Sequence, residues 1–69
     1  MIISQIRKNA GYSTQEQLAA HTGVSRSTIA KLEVGIAVPK WSTLKRIAEA
    51  LNITTDHLMS EYRPNETTT

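Results

Sequence analysis

Apolar residues recur at helical spacing along most of the chain, and glycine, proline and hydroxyl residues separate the segments that they define. The alternating runs of β-branched and aromatic residues that are typical of strands do not occur in the sequence. We therefore predict an all-α fold with five helices, at residues 3–10, 15–22, 26–34, 41–51 and 55–60. In this prediction residues 1–60 form one domain, and residues 61–69, which lack apolar periodicity, form a disordered tail.

Capping residues set the limits of the second and third helices. Thr14 and Gln17 fit a capping box at the start of the second helix, and Ser25 is a favourable N-cap for the third. Gly23 and Gly35 stand where a left-handed residue ends each helix. Two short capped helices joined by a tight turn are typical of a helix-turn-helix motif.

The two sides of the third helix differ in chemistry. Ile29 and Leu32 share one face, which we expect to pack on the core, whereas the opposite face is polar and basic. An ordinary solvated helix face has the same pattern, so the pattern alone leaves DNA binding and simple solvation open. In the fourth helix, Trp41 falls on the same arc as Leu44 and Ile47, and we expect its indole, like the ring of Tyr12, to pack in the core or at its rim.

Charge is distributed unevenly along the chain. Residues 1–46 contain seven basic and two acidic side chains, whereas residues 47–69 contain one basic and four acidic ones. A basic surface favours a polyanion such as nucleic acid as the partner.

Metal sites, catalysis and membrane insertion have little support in the sequence. Cysteine is absent, and His21 and His57 have no partner at metal-ligand spacing. We find no Ser-His-Asp arrangement and no glycine-rich phosphate loop. We therefore expect no metal, no cofactor and no enzymatic activity, and the short apolar runs predict a cytoplasmic protein.

A longer pattern of residues resembles a known family. It comprises Ile3-x-x-Ile6-Arg7-x-x-x-Gly11, then Gln15-x-x-Leu18-Ala19-x-x-Thr22-Gly23-Val24-Ser25-x-x-Thr28-Ile29-x-x-Leu32-Glu33-x-Gly35, and then Pro39-x-x-x-Thr43-Leu44-x-x-Ile47-Ala48-x-Ala50-Leu51-x-Ile53. This pattern resembles the Cro/C1-type repressors, also called the Xre family. The resemblance implies a compact, lambda-repressor-like domain in which the second and third helices form the helix-turn-helix and the third enters the major groove of DNA.

The resemblance also implies roles for individual residues. Base edges would be contacted by Arg26, Ser27 and Lys31. Phosphates would be contacted by Gln15, Thr28 and Lys40. Lys40 would act together with the backbone N–H groups around Gly35. Arg7 and Glu33 would form a buried ion pair that joins the first helix to the third.

The sequence departs from the family pattern next to the third helix. Val34 stands where Asn is common, and the loop Ile36-Ala37-Val38 is apolar where family members often carry basic residues. We therefore expect fewer phosphate contacts and a shallower dependence of DNA affinity on salt. The apolar loop is alternatively expected to face a second subunit.

These features together predict a transcriptional repressor that binds double-stranded DNA at a palindromic operator as a homodimer. The alternative is an antitoxin that binds a toxin protein and represses its own operon. We rank the antitoxin second, because the predicted tail is short and polar and offers little surface for gripping a toxin.

Overall fold

The computed structural model describes residues 2–64, and these residues form five α-helices. They are α1 (Ile3–Asn9), α2 (Gln15–Thr22), α3 (Arg26–Val34), α4 (Trp41–Ala50) and α5 (Thr55–Ser60). No strand occurs among the described residues, and the predicted all-α class with five helices is confirmed. Of the predicted tail, residues 65–69 lie outside the described part of the chain, as does Met1.

The predicted helix limits hold to within one residue. The bounds of α2, α3 and α5 agree with the sequence prediction, whereas α1 and α4 each end one residue earlier. Ala10 and Leu51, which we expected inside those helices, act as C-caps instead. Asn52 follows α4 with a φ of 60°, a left-handed conformation that Asn adopts more readily than most residues.

Local hydrogen bonds fix where α2 and α3 begin. Thr14 Oγ1 accepts from the backbone N–H of Gln17 at 3.2 Å, and Gln17 Oε1 accepts from the N–H of Thr14 at 3.3 Å, which completes the predicted capping box. Ser25 Oγ accepts from the backbone N–H of Thr28 at 3.2 Å. The start of α3 and its phase relative to the core are therefore set by the turn that precedes it.

The core takes apolar side chains from every helix. Its buried members are Ile3, Ile6, Leu18, Val24, Ile29, Leu32, Leu44, Ile47, Ala48, Leu51 and Leu58. Helix α2 packs against α3 and α4, and α5 packs against α4. Leu58 is fully buried, so the short last helix is part of the same core. This packing holds α3 from its apolar side and leaves its other side in solvent.

Trp41 departs from the prediction. It is 63% exposed, although Leu44 and Ile47 of the same helix are buried. Trp41 is the first residue of α4 and lies at the edge of its apolar arc, so its side chain projects beyond the packed turns. The expected core position of Trp41 is therefore wrong, whereas Tyr12 is half-buried and packs against the core.

Candidate nucleic-acid interface

The solvent side of α3 is a shallow concave surface. We call it the α3 surface; it has a volume of about 370 Å³ and is lined by Arg26, Ser27, Ala30, Lys31, Val34 and Ile36. The three residues predicted to contact bases are all among these six. On the opposite side of the helix, Ile29 and Leu32 are 1% exposed. A helix with its side chains is about 10–12 Å wide and the major groove of B-DNA is about 12 Å wide. The exposed side of α3 therefore fits into the groove while its apolar side stays packed on the core.

A second, larger concave surface lies beside the first. We call it the α3–α4 cleft; it has a volume of about 540 Å³ and is lined by Gly23, Val24, Ser25, Thr28, Lys31, Ala37, Val38, Pro39, Lys40, Thr43 and Arg46. Thr28 and Lys40, two of the predicted phosphate contacts, both lie here. Lys31 lines both concave surfaces and therefore stands on the ridge between them.

Arg46 brings a cation to the α3–α4 cleft that the sequence analysis did not single out. Its Nη1 atom would lie 3.8 Å from a Cβ atom added to Gly23, which places the guanidinium beside the helix-turn-helix turn. Only the packing of α4 against α2 brings the two together. The sequence carries no signal for this position beyond the charge of Arg46 itself.

Arg7 and Glu33 lie together beneath the α3 surface and join α1 to α3. Arg7 Nε donates to Glu33 Oε2 at 2.7 Å, and the two side chains are only 6% and 5% exposed. Arg7 Nη1 also donates to the backbone carbonyl of Tyr12 at 2.8 Å, which ties the loop before α2 to the pair. Buried charges persist when they are paired and hydrogen-bonded, so the Arg7 guanidinium, which has both kinds of partner inside the domain, serves the fold.

Gln15 connects this buried pair to the α3 surface. Its Nε2 donates to Glu33 Oε1 at 3.0 Å, and its Oε1 accepts from Arg26 Nη1 at 3.3 Å. A carboxylate can only accept and a guanidinium can only donate, so the two partners fix which way the amide points. The structure thus places the side chain of Gln15, a predicted phosphate contact, between a buried carboxylate and an exposed guanidinium.

Arg26 has a second partner, Glu16, on the first turn of α2. Arg26 Nε lies 3.2 Å from Glu16 Oε2, and the two side chains are 54% and 69% exposed. No sequence pattern predicts this contact of Glu16, because it depends on the angle at which α2 crosses α3. An exposed ion pair contributes about 0–1 kcal/mol, so Arg26 can exchange this partner for a stronger acceptor at low cost.

The end of α3 corrects one expectation about phosphate binding. The backbone N–H groups of Gly35, Ile36 and Ala37 all donate to the carbonyl of Lys31, the last two at 2.9 and 3.5 Å. Gly35 makes this possible with a φ of 82°, in the left-handed region where a side chain is strained. The N–H groups around Gly35 are therefore used in closing the helix and are not available to assist Lys40 at a phosphate.

Comparison with known proteins bears on this arrangement of α2 and α3. A family model described as helix-turn-helix matches residues 3–58, which include all of α1 to α4 and most of α5. The chain belongs to the helix-turn-helix family of the Cro/C1 type. The resemblance noted in the sequence is thereby confirmed, and α2 and α3 are the helix-turn-helix of this Cro/C1-type domain.

Two curated relatives carry regulatory names. The chain is 45% identical over 47 residues to the HTH-type transcriptional activator BcrR of Enterococcus faecalis, an alignment that covers 68% of this chain and 23% of BcrR. It is 33% identical over 57 residues to the SPbeta prophage-derived HTH-type transcriptional regulator YonR of Bacillus subtilis, covering 83% of this chain and 52% of YonR. The chain therefore spans about a quarter and about half of these relatives. No solved structure matches the chain significantly.

Neither a metal-binding cluster nor a membrane-spanning helix occurs in the part of the chain that the structure describes. No three His, Asp or Glu side chains within residues 2–64 lie close enough together to hold a metal ion. None of the helices described there has the length and apolar character needed to cross a membrane.

Proposed function

We propose that this Cro/C1-type domain is a sequence-specific DNA-binding transcriptional regulator that represses by occupying a palindromic operator as a homodimer. The observation that carries the proposal is the α3 surface, where three polar or basic side chains face solvent on a helix whose other side is locked into the core. Membership in the helix-turn-helix family supports the same use of α3.

Base selection falls to the side chains of the α3 surface. Arg26 is suited to guanine, because its fork of N–H donors can bond O6 and N7 together. Gln15 already accepts from this guanidinium at the first turn of α3, so less side-chain entropy is lost when Arg26 binds. Ser27 and Lys31 contact neighbouring base edges in this proposal.

Phosphate contacts on either side of α3 fix its position in the groove. On one side, Thr14 caps the N–H of Gln17, which leaves the N–H groups of Gln15 and Glu16 at the start of α2, where the helix dipole favours an anion. On the other side, Thr28 and Lys40 contact the opposite strand from the α3–α4 cleft, and Arg46 adds a third contact there. We expect Gln15→Ala to weaken binding to all sequences, because phosphates carry no sequence information, and also to reduce discrimination at the base pair that Arg26 contacts, because Gln15 holds the Arg26 guanidinium.

A homodimer accounts for specific affinity better than a single domain. One domain offers a small contact area, and two domains on a palindrome double it. The two α3 helices then lie about 34 Å apart, one turn of DNA, in successive major grooves.

Activation is the second candidate, and it is favoured by the name of the relative BcrR, a transcriptional activator. The same DNA contacts serve repression and activation, since the position of the binding site relative to the promoter decides whether transcription falls or rises. A reporter gene placed behind the natural upstream region distinguishes the two: repression predicts higher expression when Arg26 is changed to Ala, and activation predicts lower expression.

Selection of bound sites from a random duplex library tests the proposal. We expect a palindromic consensus, and binding that weakens as salt is raised, with the shallower slope that few phosphate contacts give. Arg26→Ala should cost about 1–3 kcal/mol of discrimination at one base pair of each half-site, measured by fluorescence anisotropy on single-base variants. Lys45→Ala, which removes an exposed cation of α4 outside both concave surfaces, is the matched control and should preserve base preference.

Two results would contradict the proposal. One is a folded protein without salt-sensitive affinity for any duplex. The other is an Arg26→Ala variant that loses the same affinity on every base variant, because Arg26 would then contact phosphate alone.

A further inference from the structure

Two large apolar side chains lie on the α3 surface among its cations. Val34 is 54% exposed and Ile36 is 63% exposed, and both line the same concave surface as Arg26 and Lys31. Neither belongs to the core or to the partly buried residues that pack against it. Ala30 is half-buried on the same surface and lies one helical turn before Val34.

Burying Val34, Ile36 and Ala30 against a partner would be favourable in free energy. Removing apolar surface from water is favourable by about 25 cal/mol per Å², and apolar groups gathered on one surface usually mark a contact site. Because Ile36 follows the left-handed Gly35, its position is fixed by the hydrogen bonds that end α3. The α3 surface is therefore a preformed patch that contains both apolar and cationic groups.

The charges on this surface indicate what covers it. A second copy docking symmetrically through the α3 surface would place two copies of Arg26 and of Lys31 in one small interface, and like charges in an interface are unfavourable. DNA brings negative charge and, in the major groove, one apolar group at the base edges, the C5-methyl of thymine. A duplex thus satisfies both kinds of side chain.

We propose that Val34 and Ile36, together with Ala30, bind thymine C5-methyl groups and so make thymine a required base in each half-site. This inference rests on the proposed function, since it places α3 in the major groove. Val34 lies eight residues after Arg26, about 12 Å along the helix axis. The thymines are therefore contacted at the opposite end of α3 from the guanine that Arg26 contacts.

Uracil substitution tests this directly, because uracil pairs as thymine does but lacks the methyl group. The duplex selected from the random library is made twice, once with dT and once with dU in the half-sites. We expect the wild-type chain to bind the dU duplex about fourfold more weakly for each methyl contacted. The double variant Val34→Ser/Ile36→Ser should bind the dT duplex more weakly than wild type and should keep only the part of the dU effect that comes from Ala30.

Val38→Ser is the matched control, because Val38 is also exposed and apolar but lines the α3–α4 cleft instead. It should retain the full loss on the dU duplex. Circular dichroism checks that the variants stay folded, as expected for exposed positions.

Three results overturn the inference while leaving DNA binding intact. They are equal wild-type affinity for both duplexes, an undiminished dU effect in the double variant, and a selected half-site without thymine. A wild-type chain that binds no duplex would overturn the proposed function as well, so the two failures are distinguishable.

Discussion

The domain contains two arginine–glutamate pairs with similar geometry and opposite surroundings. Arg7 and Glu33 are 6% and 5% exposed and lie 2.7 Å apart, whereas Arg26 and Glu16 are 54% and 69% exposed and lie 3.2 Å apart. Gln15 connects the two pairs, because its amide binds Glu33 at one end and Arg26 at the other.

The contrast shows how burial decides what an ion pair does. The buried pair has no water to replace a lost partner, so it fixes the position of α3 relative to α1. Breaking the exposed pair costs little free energy, so Arg26 can leave Glu16 and bind another acceptor. A continuous row of polar contacts therefore runs from the buried Arg7–Glu33 pair through Gln15 to the exposed Arg26–Glu16 pair. We expect the loss in the free energy of unfolding to become smaller as the mutated residue lies nearer the exposed pair.

The largest effect is expected from Arg7→Ala. It leaves the carboxylate of Glu33 buried without its cation, which costs about 3–5 kcal/mol. Urea denaturation followed by circular dichroism measures the loss. Lys8→Ala, which removes the neighbouring exposed cation of α1, should stay within about 0.5 kcal/mol of wild type. If both variants had the same small effect, the buried pair would have no structural role.

A double variant sharpens this result. Arg7→Ala/Glu33→Ala removes the stranded charge together with its partner, so it should cost clearly less than the sum of the two single changes. Additive costs would mean that the two side chains do not depend on each other.

An intermediate effect is expected from Gln15→Ala. It removes the second donor to Glu33 and leaves one oxygen of a buried carboxylate without a partner, a loss of about 1–3 kcal/mol in the free energy of unfolding. Gln5→Ala is the control, because Gln5 makes an exposed hydrogen bond to Asn9 within α1 and its loss should cost less than about 0.5 kcal/mol. Equal stabilities for the two variants would show that Gln15 does not support Glu33.

The smallest effect on stability is expected from Glu16→Gln, at most about 1 kcal/mol. Its effect on DNA binding should have the opposite sign, since the change removes a negative charge from beside the proposed phosphate contacts. We expect tighter binding at low salt, with a log–log salt slope that is steeper by up to about 0.9. Asp56→Asn, which removes an exposed negative charge of α5 outside both concave surfaces, is the control and should leave the salt slope unchanged. Weaker binding by Glu16→Gln would mean that Glu16 is needed to orient Arg26.

The sequence predicts those structural features that adjacent residues determine. The capping box of Thr14 and Gln17, the N-cap at Ser25 and the left-handed glycines after α2 and α3 each depend on a few adjacent residues, and each occurs as expected. The apolar side of α3 followed from helical periodicity, which also placed the predicted base contacts on one surface.

What the sequence could not predict depends on how the helices cross. The contacts of Arg26 with Gln15 and Glu16 require the first turns of α2 and α3 to approach, and no local pattern specifies that angle. The exposure of Trp41 could not be predicted either. Periodicity placed Trp41 on the apolar face of α4, but it does not tell whether a neighbouring element covers that end of the helix. The phosphate, base and dimer contacts stay predictions until DNA binding is measured.

The carbonyl of Lys31 accepts hydrogen bonds from three backbone N–H groups, and these bonds do not depend on which side chains follow α3. Because the backbone alone closes the end of α3, the exposed side chains at residues 36–38 are not needed for folding. They are free to vary without loss of the core. Under the proposed base contacts, exchanging a few side chains at the end of α3 would change the DNA sequence that the domain selects, while the left-handed conformation at Gly35 would have to be retained.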